Sequence, residues 1–362
     1  PGSPDASTTV DTTPPDAPTL TAEPTYTAGT SNTVAWSDES GTGAAEYYAE
    51  LATDTGFTLD VATSGWVAGL SYEFTSLTDG QIYYYRVKAR DAALNESGWS
   101  GTESSTQDDT APATSAGDPG STQTTLTFDV PFSASDATSG VQYVELWYQV
   151  DGGGYSQYGA TFTTSPISFI AGADGVYDFY TIGTDNVDNV EAAPGSPDAS
   201  TTVDTGAPDV PTLTAEPTYT AGTSNTVAWS DVNASGADEY YAELATDTGF
   251  TLDVATSGWI AGLSYEFTSL TDGQIYYYRV KARDAALNES GWSGTESSTQ
   301  DDTAPATSAG DPGSTQTTLT FDVTFSASDA TSGVQYVELW YQVDGGGYSQ
   351  YGATFTTSPI SF

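Results

Sequence analysis

The chain has 362 residues, room for two to four domains of roughly 100–200 residues each, and a surplus of Thr, Ser, Gly, Val and Tyr over Leu and Ile that favours strands and turns. Cys, Met and His are all absent, which excludes a disulfide framework, a Ser-His-Asp or Cys-His triad, and the imidazole and thiolate ligands of zinc, copper and haem sites. The net charge of −43 excludes phosphate-tracking nucleic-acid binding, which needs Lys and Arg, and no apolar run of about 18 residues marks a membrane span.

Internal repetition dominates the chain. Residues 1–169 recur as 194–362 with an offset of 193 and no insertion, and ten of the 169 paired positions differ. Half of the changes fall in one stretch, where Glu39-Ser40-Gly41-Thr42 becomes Val232-Asn233-Ala234-Ser235 and Ala45 becomes Asp238, which marks a surface loop. Near-identity over a whole period points to recent duplication in a longer array. The absence of Met also leads us to expect a mature or excised segment of a larger chain.

Thr/Pro/Asp clusters at Val10–Pro15, Gln107–Pro112, Asp204–Pro208 and Asp301–Pro305 punctuate the sequence as short, semi-rigid connections. They divide it in order. Residues 1–12 match 194–205 and read as the last strand of a preceding unit. Residues 13–110 form one unit, 111–204 a second of different type, 205–303 repeat the first type, and 304–362 repeat the second without its final portion. A sandwich lacking two or more strands would expose sheet edges and half its core. The chain is therefore expected to continue in both directions, or a neighbouring molecule to supply the missing strands.

In the 13–110 unit, Thr33-Val34-Ala35-Trp36 places a core tryptophan on an early strand. The run Leu77-Thr78-Asp79-Gly80-Gln81-Ile82-Tyr83-Tyr84-Tyr85-Arg86-Val87-Lys88-Ala89 gives a turn and then a strand. Over its whole length this unit resembles the fibronectin type III family. The resemblance implies a tyrosine corner at Tyr83, with Tyr85, Val87 and Ala89 pointing inward, and Asp79-Gly80 standing where the family usually has Pro-Gly. In the 111–204 unit, Ser135-Asp136-Ala137-Thr138-Ser139-Gly140-Val141, Val144–Gly152 and Gly175–Asn186 resemble the Ig-like sandwich modules of bacterial and archaeal surface proteins. No Cys…Trp…Cys spacing is present, so an antibody-type domain is not implied. The expected fold class is all-β: a tandem array of antiparallel β-sandwiches, fibronectin type III-like alternating with Ig-like.

All six basic residues, Arg86, Lys88, Arg90 and their copies Arg279, Lys281, Arg283, alternate along one strand of each period and so share one outward face. Glu46, Tyr48 and Glu50 fall on that same face, and Trp99 on the adjoining strand. A cross-strand ladder of ion pairs and cation–π contacts is expected, with a basic docking stripe as the functional alternative. Acidic and amide residues gather near the predicted unit ends: Asp91, Asn95, Glu96, Asp108, Asp109, Asp185, Asp188, Glu191, Asp204, Asp284, Asn288, Glu289, Asp301 and Asp302. Hard oxygen ligands in such numbers suit Ca²⁺, although none of these runs is an EF-hand loop. Asn95, Asn233 and Asn288 open N-glycosylation sequons. Trp66 and Trp147, candidates for a sugar-binding row, sit in strand-like apolar context and read as core.

With no catalytic constellation and no long cleft expected in small sandwiches, the chain reads as non-catalytic. The expected role is a structural repeat segment of an extracellular fibre, stalk or surface-layer protein of a prokaryote, its partners being neighbouring repeats or other copies of itself. An adhesin or carbohydrate-binding segment that recognises cell-surface glycans, or a spacer in a secreted polysaccharide-degrading enzyme, are the alternatives.

Overall fold

The structure is a computed structural model that describes residues 8–362. It is all-β; the only helical turns among the described residues are single 3₁₀ turns at Ser40–Thr42 and Asn233–Ser235, and no helix is long and apolar enough to cross a membrane. The chain divides into two compact units, 1–204 and 205–362.

The first unit opens with strands β1 (Tyr26–Ala28), β2 (Ser31–Ala35), β3 (Glu46–Ala52), β4 (Ala62–Val67), β5 (Ser71–Thr75), β6 (Ile82–Arg90) and β7 (Glu103–Asp108). They form a five-stranded sheet in the order β1-β7-β6-β3-β4, faced by the β2-β5 pair; β1 runs parallel to β7 and every other pairing is antiparallel. Strict alternation drives the packing. On β3, Tyr47, Ala49 and Leu51 are buried; on β6, Tyr83, Tyr85, Val87 and Ala89 are. They meet Val34, Trp36 and Phe74 from the facing layer in one core. The Tyr83 hydroxyl accepts the Thr78 N–H at 2.9 Å and so ties the turn to the strand that follows it. At Asp79-Gly80, Gly80 has φ +72°, a conformation that glycine adopts without strain.

The next strands are β8 (Ala113–Ala116), β9 (Thr122–Gln123), β10 (Thr127–Val130), β11 (Phe132–Ser135), β12 (Val141–Val150), β13 (Ser156–Phe162), β14 (Ile167–Ile170), β15 (Gly175–Asp185) and β16 (Ala199–Val203). A sheet ordered β13-β12-β15-β16-β9 faces the β10-β14 and β11-β8 pairs. Its core is aromatic: Phe169, fully buried, lies 5.0 Å from Phe179, 5.1 Å from Tyr148 and 5.3 Å from Phe128, ring centre to ring centre. Burying a ring of this size contributes about 1.5–3 kcal/mol. Tyr177, also buried, donates its hydroxyl to the Ala173 carbonyl at 2.8 Å.

The second unit repeats the first module as β17 (Tyr219–Ala221), β18 (Ser224–Ala228), β19 (Glu239–Ala245), β20 (Ala255–Ile260), β21 (Ser264–Thr268), β22 (Ile275–Arg283) and β23 (Glu296–Asp301), with the same strand order. Residues beyond it form β24 (Ala306–Ala309), β25 (Asp322–Val323), β26 (Phe325–Ser328), β27 (Val337–Tyr341), β28 (Ser349–Phe355) and β29 (Ile360–Ser361), joined only as two-stranded pairs. Residues 304–362 match 111–169 and include no counterpart of β15 or β16. The face those strands would cover is an apolar groove of 330 Å³ lined by Phe321, Val323, Leu339, Tyr341 and Phe362.

The expected closing strand at 1–12 falls mostly outside the described residues. Its described part, 8–12, is exposed and carries no strand; Val10 is 81 % exposed, whereas its copy Val203, paired within β16, is 1 % exposed.

Candidate functional site

Three strand ends of the first unit converge where its two modules meet. β7 ends at Asp108, Asp136 directly follows β11, and β15 ends at Asp185. One carboxylate oxygen from each lies within 4.8 Å of the others; Asp108 and Asp185 are completely buried and Asp136 is half-buried.

Local turn chemistry places all three. Asp136 accepts the N–H groups of Thr138 (3.0 Å) and Gly140 (2.7 Å) on Oδ1. Asp185 accepts those of Val187 and Asn189, both at 2.8 Å, on Oδ1, and the Asn189 side-chain amide on Oδ2. Aspartate at the head of such a turn substitutes for a backbone carbonyl. Asp108 then joins the modules: its Oδ2 accepts the Ser139 N–H at 3.0 Å, and its carbonyl accepts the Asn189 amide at 3.1 Å. The connection itself is clamped from the first module. Asp79 accepts the Asp109 N–H on Oδ1 and the Thr110 hydroxyl on Oδ2, both at 2.7 Å, and these bonds hold the Asp79 carboxyl below its ordinary range.

Of the acids expected at the junctions, Asp108 and Asp185 are brought together, and Asp136 joins them from the Asp-Ala-Thr-Ser-Gly run. Sequence reasoning passed over Asp136, which heads a turn like that of Asp185, accepting N–H groups from two and four residues on, with Gly140 where Asp185 has Asn189. The rest go elsewhere. Asp91 and Asp284 are consumed within their own turns by Asn95 and Asn288, through backbone and side-chain amides. The Asn95 amide, followed by the backbone, holds the Asp91 carboxyl below its ordinary range. Glu96 and Glu289 pair with Lys88 and Lys281. Glu191 stitches its own module, accepting the Thr114 N–H and hydroxyl and the Gly183 N–H. Asp109, Asp188 and Asp302 are exposed, and Asp204 donates its backbone N–H to Gln123. Asp301 keeps the equivalent bond from Ser332, at 3.2 Å, while Asp329 keeps those from Thr331 and Gly333.

The sequon residues differ in setting. Asn233 is exposed, whereas Asn95 is half-buried and donates its side-chain amide to Asp91 and to the Asp11 carbonyl.

The basic face is a closed ladder. Arg86 pairs with Glu50, Lys88 with Glu96 and Arg90 with Glu46, each at 2.5 Å. Arg86 stacks 4.0 Å from the Phe57 ring and 4.1 Å from that of Trp99, and Arg90 lies 4.2 Å from that of Trp66. The copies Arg279, Lys281 and Arg283 repeat every pairing. Each cation is thus matched to a carboxylate on the same face, as a cross-strand ladder requires. Trp99 follows β6 without regular strand structure, held beside it by the Ser97 N–H on Ala89 and the Ser100 N–H on Val87. Nor is Trp66 in the core: it covers this ladder. Trp147 is likewise outside its module's core, stacked on Tyr180 at 6.1 Å and 8° on the outer face. In both cases the apolar context comes from neighbours on the opposite face of the strand.

No family model and no curated protein matches the chain. Among solved structures, the chain is similar to the FN1–FN3 domains of chicken CNTN1, at 13 % identity and TM-score 0.34, covering 80 % of this chain and 100 % of that one. It is also similar to domains A168–A170 from titin, at 15 % identity and TM-score 0.37, covering 80 % and 99 %.

Proposed function

We propose that this chain is a non-catalytic structural repeat segment of an extracellular fibre, stalk or surface-layer protein, of prokaryotic origin. The observation that carries the reading is the junction of the first unit. Two unlike sandwiches meet there through backbone and side-chain hydrogen bonds on both sides of Asp108 and Asp109, where a free linker would leave them independent. An array that fixes each junction converts added repeats into added reach, the physical purpose of a stalk or fibre. Near-identical copies within one chain fit the same purpose, because repetition of a spacer needs no new chemistry. Immunogold electron microscopy of intact source cells with an antibody against this chain tests the proposal. Label along surface filaments or an outer layer is expected; label confined to the cell interior overturns it.

A second reading draws on the outer face of β12 and β15, where the half-exposed Trp147 stacks on the buried Tyr180, itself 4.5 Å from the Tyr155 ring. Such a platform suits a sugar ring. Binding on a glycan array that is lost in Trp147→Ala would favour an adhesive segment.

A further inference from the structure

We propose that Asp108, Asp136 and Asp185 hold one calcium ion at the module junction. The inference goes beyond the structural-repeat reading and stands whether or not the chain belongs to a fibre.

The first ground is charge. Three carboxylates whose oxygens lie within 4.8 Å of one another, two of them fully buried, form a concentration of negative charge that protein interiors tolerate only with a partner. The chain has six Lys and Arg in all, and every one of them is paired on the two ladders. The counter-charge must come from outside the chain.

The second ground is independent of the acids. Ser139 is 8 % exposed, and its hydroxyl oxygen is buried without a hydrogen-bond partner. Its N–H is fixed on Asp108 and its carbonyl on the Asn186 side chain at 2.7 Å, so Ser139 itself lies between the segments that end in Asp108 and Asp185. A buried hydroxyl ordinarily finds a partner.

Ligand chemistry selects the ion. The donors are hard oxygens alone, which calcium and magnesium prefer. Magnesium gives up its waters reluctantly and keeps several of them, so a cluster with two fully buried carboxylates favours calcium.

Calorimetric titration of the chelator-treated 362-residue chain with CaCl₂ tests the site. In about 1 M KCl, where the Debye length is about 3 Å, diffuse attraction to the acidic surface is suppressed. One saturable site per chain is expected. Asp136→Asn should weaken it at least about tenfold, as loss of one charged ligand does, and Asp329→Asn, its copy in the second unit, should leave it unchanged. Absence of saturable binding by the unaltered chain overturns the proposal, and that result does not depend on any variant folding. Equal affinity in the circular-dichroism-verified Asp136→Asn variant also overturns it, as does magnesium displacing calcium at equal concentration.

Discussion

Arg86 and Glu50 face each other across β3 and β6 at 2.5 Å, with the glutamate side chain only 13 % exposed, while the same strand's Lys88 reaches a Glu96 that is 47 % exposed. Two rungs of one ladder therefore differ in how far water screens them. Replacing Arg86 and Arg279 together by Ala strands Glu50 and Glu243 and uncovers the Phe57 and Trp99 rings with their copies. A loss of about 1–3 kcal/mol per module is expected. The Lys88→Ala, Lys281→Ala pair should cost less than about 1 kcal/mol and respond more to salt. Urea unfolding followed by tryptophan fluorescence separates the two.

The Tyr83 hydroxyl accepts one backbone N–H, from Thr78. Tyr83→Phe with Tyr276→Phe keeps the ring and removes that bond in both modules. The expected loss is about 1 kcal/mol per module, read as a lower denaturant midpoint at unchanged slope.

Gly183 lies in β15 against the connection between modules. A Cβ there would meet Thr114 Cγ2 at 2.7 Å and Pro112 Cγ at 3.0 Å, with no flexible chain end to yield. Gly183→Ala should therefore destabilise the first unit by about 1–3 kcal/mol through overpacking. Differential scanning calorimetry would show the transition of residues 205–362 unmoved.

Burial raises the Glu23 carboxyl above its ordinary range, against the Asn32 amide that donates to it at 2.7 Å, and the nearby Glu103 charge raises it further; Glu216 behaves alike. A carboxyl raised in the folded state binds its proton more tightly there than in the unfolded chain. It thus favours folding fully below the unfolded value of 4.5 and loses that contribution as pH rises through the folded value. Glu23→Gln with Glu216→Gln should accordingly raise the thermal midpoint at neutral pH and have little effect at about pH 3. A variant that is less stable at neutral pH would contradict this account.

The sandwich architecture was legible because it rests on local rules. Alternation along Ile82–Arg90 sorts buried from outward residues, and the Asp79-Gly80 turn precedes a tyrosine corner. The ladder followed from the same alternation. What alternation does not carry is which face an aromatic takes when both faces have partners, and so Trp66 and Trp147 were assigned inward. The junction cluster was half legible. Asp108 and Asp185 stand at unit ends, but Asp136 arrives from a mid-module turn, and Glu96 is taken up by Lys88 of the preceding strand. Those outcomes depend on three-dimensional neighbours that spacing alone does not rank.

Every basic residue of this chain lies inside β6 or β22 and is held there by a carboxylate. A protease that cuts after Lys or Arg finds four of its six bonds within paired, central strands, two, after Arg90 and Arg283, where those strands end, and none in the connections between modules, where nicking ordinarily begins. For such an enzyme, fraying at the ends or opening of a junction leads to no cut. Digestion must wait for a whole module to unfold, so a surface built on this pattern resists trypsin-like attack by withholding its cleavage sites, and its rate of tryptic loss reports module unfolding directly.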